Sequence, residues 1–244
     1  MKGVVLAGGL GTRFHPVTRV VNKHLLDVYD EPMVFHPIRT LARAGIVDIA
    51  LVTGDDIAQF KRLLGDGSEL GVRLSYAYQQ GEGGIADALA KAEAFVRGSN
   101  VVVVLGDNIF QEDIAPYVEA FHRQEKGGKI LLKRVSVEEA MRFGVADVED
   151  GMIVNIEEKP ATPKSDLVVT GCYMYDARVF DFIQLLVPSG RGELEVTDLN
   201  NLYIEEGTMT YDVLKGWWTD AGTPASKLKA SILVALAKGV TFRP

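Results

Sequence analysis

The 244-residue sequence contains a single cysteine, Cys172. No internal disulfide can form, which excludes a stapled secreted scaffold. Long apolar runs are also missing. Aliphatic stretches such as Val101–Leu105 fall far below the roughly 20 residues a membrane helix needs. The opening Met1-Lys2-Gly3-Val4-Val5-Leu6 predicts a strand, because its apolar run is too short for a secretion signal. A cytoplasmic location with no membrane partner is the expectation. Excess positive charge is absent: 26 Lys and Arg face 33 Asp and Glu, a net charge of −7, so no general nucleic-acid binder is expected. The four histidines lack the His-Glu-x-x-His spacing of a metal site, and no Gly-x-Ser-x-Gly elbow of a serine hydrolase occurs.

Hydrophobic residues make up 47% and charged residues 24%, ordinary values for a globular protein and unlike a disordered one. Without repeats or linkers, residues 1–244 are expected to form one domain. Val4-Val5-Leu6, Ile49-Ala50-Leu51-Val52 and Val101–Leu105 are continuous apolar runs bounded by turn residues, the pattern of parallel strands buried on both faces. Between them, helical spacing predicts helices over 33–44, 57–64 and 85–95. The alternation means α/β. Residues 129–175 are richer in strand and turn signals, such as Glu149-Asp150-Gly151, and predict an antiparallel addition to the same sheet. Residues 228–237 predict a closing helix. Cys172, between Gly171 and Tyr173 in a strand-like run, is expected in the core.

Four features carry chemistry. The first strand ends in Ala7-Gly8-Gly9-Leu10-Gly11-Thr12-Arg13-Phe14. Glycine-rich turns let backbone N–H groups approach phosphates. Phe14 occupies the third glycine position of a dinucleotide fingerprint, and the chain has no Gly-Lys-Ser/Thr of a Walker loop. Arg13 and Lys23 beside such a turn suit a triphosphate; the alternative is a tight turn with surface cations. Second, Val101–Leu105 runs into Gly106-Asp107, and Asp220 follows Trp217-Trp218-Thr219. Aspartates at strand ends face the ligand crevice of open α/β sheets, and two of them can hold Mg²⁺, although both could equally be turn or cap formers. Third, Glu157-Glu158-Lys159-Pro160 places a lysine before proline, where an extended, stiff backbone is expected; it can grip an anion, although a solvated charge cluster in a hairpin is the reading the residues alone favour. Fourth, Arg191-Gly192-Glu193-Leu194-Glu195 is a polar turn before a helix, with Arg191 either a candidate phosphate fork or a surface arginine.

In order along the chain, Leu6-Ala7-Gly8-Gly9-Leu10-Gly11-Thr12-Arg13, Leu64-Gly65-Asp66-Gly67-Ser68, Leu105-Gly106-Asp107-Asn108-Ile109-Phe110, Glu157-Glu158-Lys159-Pro160, Val169-Thr170-Gly171 and Arg191-Gly192-Glu193-Leu194-Glu195 resemble the sugar nucleotidyltransferase family, in particular its short thymidylyl branch. The resemblance implies a Rossmann-like nucleotidyltransferase fold, three-layer αβα with a mixed, mostly parallel central sheet. It implies that dTTP, or UTP, reacts with a sugar 1-phosphate such as glucose 1-phosphate to give a nucleotide sugar and pyrophosphate, with Mg²⁺, in a homodimer or homotetramer. Arg13 and Lys23 would then hold the triphosphate over the loop residues Gly9, Gly11 and Thr12. Asp107 and Asp220 would hold the metal. Lys159 and Arg191 would grip the sugar phosphate, while Glu158, Gly144 and Val169 would meet the sugar. Leu6 and Gly8 would line the base pocket, and Gln79 and Gly84 would read the pyrimidine edge.

The sequence departs from the family pattern in four places. Asp27 follows Lys23-His24-Leu25-Leu26 where proline is usual, Phe143 precedes Gly144 where tyrosine is frequent, Ala221 replaces a threonine after Asp220, and the helical C-terminal extension of the long enzymes is not expected. Two other readings compete: a transferase using another nucleotide, and a non-catalytic sugar-nucleotide sensor. Retention of Arg13, Lys23, Asp107, Lys159 and Asp220 speaks against the sensor.

Overall fold

The apolar runs become strands buried on both faces, and the order in which they pair places the chain's crevice. The computed structural model describes residues 1–241. Its strands are β1 (Lys2–Ala7), β2 (Asp27–Val28), β3 (Glu31–Pro32), β4 (Asp48–Thr53), β5 (Arg73–Tyr78), β6 (Val101–Leu105), β7 (Asn108–Phe110), β8 (Gly128–Arg134), β9 (Gly144–Glu149), β10 (Met152–Glu158), β11 (Leu167–Tyr175), β12 (Met209–Val213) and β13 (Trp218–Asp220). The main sheet runs β10-β9-β11-β6-β1-β4-β5, with β8 and β12 continuing from the other edge of β11. β5, β4, β1 and β6 are parallel to one another. β11 lies antiparallel to β6, with Cys172 opposite Val104. The addition expected over residues 129–175 is therefore β8 to β11 in the same sheet. The β9–β10 hairpin turns at Asp150 and Gly151, both in the left-handed region, as a two-residue hairpin turn demands.

Alternate residues of the parallel strands face two separate cores. Val4, Leu6, Val52 and Val103 pack with Leu89, Leu199 and Tyr203 from helices on one side. Val5, Leu51, Val102 and Val104 pack with Ile38, Leu41, Phe60 and Phe121 on the other. This is the three-layer αβα arrangement, and Cys172 is fully buried within it. A smaller core under the closing helix, Pro224–Ala237, gathers Val28, Met33, Ile109, Ala221, Ala230 and Val234. Helices Phe35–Arg43 and Ile57–Leu64 match expectation. Residues 85–95 do not form one helix: Ile85–Ala90 and Glu93–Val96 are separated by a turn in which Lys91 and Ala92 donate to Ala88 and Leu89. Those tighter bonds keep the apolar stripe on one side, so spacing alone does not reveal the break.

Strand order reverses between β1 and β6, since β4 and β5 lie to one side and β11 to the other. Ligands of open α/β sheets bind at such a switch, beyond the strand C-termini. Here those termini are Ala7, leading into the glycine loop, and Leu105, leading into Asp107. Among the described residues no helix is long and apolar enough to cross a membrane.

Candidate active site

The glycine loop and the loop after β6 are tied together by one ion pair. Gly11 takes φ +64°, a conformation glycine adopts at no steric cost, and the following 3₁₀ turn Thr12–Phe14 is anchored by buried Phe14. Arg13 stands on this turn, exposed to solvent and bordering the crevice. The turn Lys23–Leu25 is capped by Asn22, whose Oδ1 accepts from the His24 N–H at 2.9 Å. Lys23 passes beneath the loop and donates from Nζ to Asp107 Oδ2 at 2.6 Å. Burial alone would raise the Asp107 carboxyl, but the Lys23 ammonium outweighs it and holds the group well below the usual carboxylate range. Burial, then the Lys23 charge, push His24 down to about 3. The neutral imidazole donates from Nδ1 to Asn22 Oδ1 at 2.8 Å. Its far edge lies so close to Gly106 that a Cβ there would come within 2.6 Å of Cδ2, which explains glycine before Asp107.

Asp220 arrives from 113 positions later by strand register. β13 pairs antiparallel with β7, Asp220 opposite Asn108, and the Ala221 N–H donates to the Asp107 carbonyl at 2.8 Å. The two carboxylates converge on Gly222, where a Cβ would sit 2.7 Å from Asp220 Oδ1 and 3.3 Å from Asp107 Oδ2. Burial, then the neighbouring Asp107 charge, push the Asp220 carboxyl up to about 6. Two hard oxygen donors, one of them destabilised as an anion by the other, fit a divalent cation. No group of three or more His, Cys, Asp or Glu converges among the described residues, so phosphate oxygens and water would complete the shell, as Mg²⁺ prefers.

Asn108 holds this corner together. Its Oδ1 accepts from the Gly171 N–H at 2.8 Å and Trp218 Nε1 at 2.7 Å, and its Nδ2 donates to Asp107 Oδ1 at 3.1 Å. Gly171 lies in an irregular stretch of β11, where pairing with β8 shifts between Val169 and Tyr173. That bulge turns the Gly171 N–H away from β8 and towards Asn108.

Beyond the carboxylates opens a cavity of about 660 Å³. Glu158, on the last residue of β10, accepts from Thr197 Oγ1 at 2.8 Å and pairs with Lys159 Nζ at 2.7 Å. Lys159 is not extended as the following proline predicts. It takes φ +46°, and its N–H donates to the Phe143 carbonyl at 3.0 Å, a bond that overrides the local preference. Arg191 is held by Glu195 across two 2.9 Å contacts from Nη2, with Glu193 at 3.6 Å and Glu158 at 4.0 Å. Phe143 packs edge-on against Trp218 with ring centroids 5.2 Å apart.

A second, smaller cavity of about 280 Å³ lies on the glycine-loop side, where Leu6, Gly8, Gly9, Lys23, Gln79 and Gly84 meet. Arg13 and Asp107 border both cavities. Gly144, Val169, Glu158, Lys159, Arg191 and Asp220 line the larger one. Gly11 and Thr12 line neither; they shape the turn that carries Arg13. Sequence reasoning missed Asn108, His24, Thr197, Trp218 and Glu195. Asn108 and Glu195 stand inside recognised motifs, and adjacency to Asp107 and Arg191 was the available signal. Thr197 and Trp218 had none, because only the fold brings them to Glu158 and Asn108.

A family model described as nucleotidyl transferase matches residues 2–235. A Neisseria meningitidis glucose-1-phosphate thymidylyltransferase is 44% identical over 98% of this chain and 84% of its own length. A Mycobacterium tuberculosis glucose-1-phosphate thymidylyltransferase is 42% identical over 96% and 82%. Among solved structures, a Bacillus anthracis protein provisionally assigned as a glucose-1-phosphate thymidylyltransferase, in complex with sucrose, superposes with a TM-score of 0.92 at 48% identity, covering 100% of this chain and 98% of that one. A UDP-glucose pyrophosphorylase complexed with UDP-glucose shares the fold, with a TM-score of 0.86 at 22% identity over 96% and 98% of the two chains.

Proposed function

This chain belongs to the nucleotidyl transferase family, and on that premise we propose that it condenses dTTP with glucose 1-phosphate to give dTDP-glucose and pyrophosphate. The observation that carries the reading is the meeting of two cation-bordered cavities at Arg13 and Asp107, with Asp220 beside Asp107 on the larger one. The smaller cavity takes the nucleotide and the larger one the sugar phosphate, with the α-phosphorus between them.

The nucleophile is an oxygen of the sugar phosphate. Its second pKa is about 6, so it is largely dianionic at neutral pH and needs no general base. That agrees with His24, which is buried, neutral and committed to Asn22. The oxygen attacks the α-phosphorus in line, the bond to the bridging oxygen breaks, and its electron pair leaves with pyrophosphate. The obstacle is the approach of two anions. Lys159 and Arg191 exchange their carboxylate partners for the sugar phosphate and hold it in place. Lys23 and the glycine-loop N–H groups hold the triphosphate, and Arg13 stabilises the charge growing on the leaving pyrophosphate. Glu158, fixed by Thr197, accepts from sugar hydroxyls beside Gly144 and Val169. Asp107 and Asp220 would hold Mg²⁺, which supplies neutralisation of the phosphate charge when bound. Positioning provides much of the remaining rate. The proposed assembly is a homodimer or homotetramer.

The test is pyrophosphate release, with Mg²⁺, across dTTP, UTP, ATP, GTP and CTP against glucose 1-phosphate. Release strongest with dTTP and weaker with UTP is expected. Preference for a purine nucleotide overturns the base-pocket reading, and silence with every nucleotide, repeated across a wider panel of sugar phosphates, overturns the enzymatic one.

A further inference from the structure

Gln79 presents one defined atom to the nucleotide cavity, and the reason lies one helical turn away. The side chain is buried where β5 ends, and its backbone N–H donates to the Thr53 carbonyl at 2.8 Å. Its Nε2 donates to the Gly84 carbonyl at 3.1 Å and to Asp87 Oδ2 at 2.9 Å. An amide nitrogen has two hydrogens, and both are now used. Oε1 is left facing Gly8, close enough that a Cβ on that glycine would lie 2.8 Å away. Both partners of Nε2 are acceptors only. Turning the amide over would set Oε1 against a carbonyl and a carboxylate, acceptor facing acceptor, a costly arrangement around a buried side chain. Asp87 is itself held on the helix Ile85–Ala90 by Lys91, whose Nζ lies 2.8 Å from Oδ1.

We propose that Asp87 is the positioning residue for base selection: by locking the Gln79 amide it offers the base an acceptor and no donor, so a pyrimidine with N3–H is taken and one with a bare N3 is refused. Thymine and uracil carry the N3–H; cytosine at neutral pH carries a lone pair there. The inference rests on the dTTP-using reading above. Asp87 touches no substrate and acts through Gln79 alone. An Asp87→Asn change keeps the shape but adds a donor, which lets the amide turn over and pair its nitrogen with the base.

The experiment compares kcat and KM for dTTP, UTP and dCTP, each with glucose 1-phosphate, in wild type, Asp87→Asn and Lys91→Ala. In Asp87→Asn the ratio of kcat/KM for dTTP over dCTP is expected to fall about tenfold, the worth of one hydrogen bond exchanged for a repulsion. The change should sit in KM, with kcat for dTTP held. The dTTP to UTP ratio should not move, because the two bases share that edge; a merely structural defect would lower all three nucleotides together. Lys91→Ala keeps both acceptors on Gln79 and should retain the wild-type ratios. Unchanged dTTP over dCTP selection in Asp87→Asn overturns the inference while the function stands, as does an equal collapse in Lys91→Ala, which would trace the effect to the helix ion pair. If Asp87→Asn fails to fold, Asp87→Glu, which retains the acceptor, must keep wild-type discrimination, and a relaxed ratio there overturns the inference too. A wild type that ignores dTTP overturns the functional reading and this inference with it.

Discussion

The two halves of the crevice hold their cations differently. On the proposed nucleotide side, Lys23 and Asp107 are 13% and 12% exposed, and their pair is braced by His24, Asn22 and Asn108. On the proposed sugar side, Lys159 and Glu158 are 48% and 31% exposed, and Arg191, 49% exposed, rests on Glu195. A shielded pair is strongly coupled and costly to break, whereas a solvated one contributes little and exchanges partners easily. The glycine-loop half is thus preorganised by burial, and the other half is a set of loosely held charges, which the proposed reading gives to the sugar phosphate.

The largest expected effect comes from breaking the buried half. Asp107→Ala leaves the Lys23 ammonium uncompensated and removes half of the carboxylate pair. Turnover should fall by at least about 10²–10³-fold, and stability by about 3–5 kcal/mol. Urea unfolding beside pyrophosphate release checks both; an active, equally stable variant would erase the distinction between the halves.

The next effect is in acid. His24 titrates near 6.5 when unfolded and at about 3 when folded. Between those values only the unfolded chain takes the proton, so stability present above pH 6.5 is lost as pH falls towards 3. His24→Gln should flatten that acid slope, removing a few kcal/mol of pH dependence at about 1.4 kcal/mol per pH unit. Urea midpoints for both proteins across this range are the measurement. Parallel slopes would mean the imidazole is not kept neutral by the fold.

Breaking the solvated half should cost binding and little else. Lys159→Ala is expected to raise KM for glucose 1-phosphate by about tenfold or more, the worth of a charge-assisted hydrogen bond, with stability within about 0.5 kcal/mol of wild type. A large loss of stability with unchanged KM would sharpen the comparison in the wrong direction and move Lys159 out of the sugar-phosphate site.

Much of this was legible beforehand because it is local. Val4-Val5-Leu6 and Val101–Leu105 are apolar without alternation, and that pattern suits buried parallel strands. Glycines 8, 9 and 11 before Arg13 mark a glycine loop at the end of β1, and Arg13 borders both cavities. Helix spacing over 85–95 found the buried face but not the interruption at Lys91-Ala92, since a 3₁₀ turn preserves the face while changing the bonds. Lys159 went the other way: proline predicted an extended backbone, and a hydrogen bond to the Phe143 carbonyl decided otherwise.

The sequence by itself determined the layers, the glycine loop and the residue types at the crevice, because those depend on neighbours along the chain and on simple periodicity. Only the tertiary structure decided that Asp220 stands beside Asp107, that Asn108 joins Gly171 to Trp218, and that Asp87 accepts from the Gln79 amide nitrogen. The Asp220 and Asn108 pairings rest on strand register and a bulge between segments more than sixty residues apart. The Gln79 contact is nearer in sequence, but it depends on the chain turning back from the end of β5 into a helix. In each case a one-residue slip would aim a different side chain at the site.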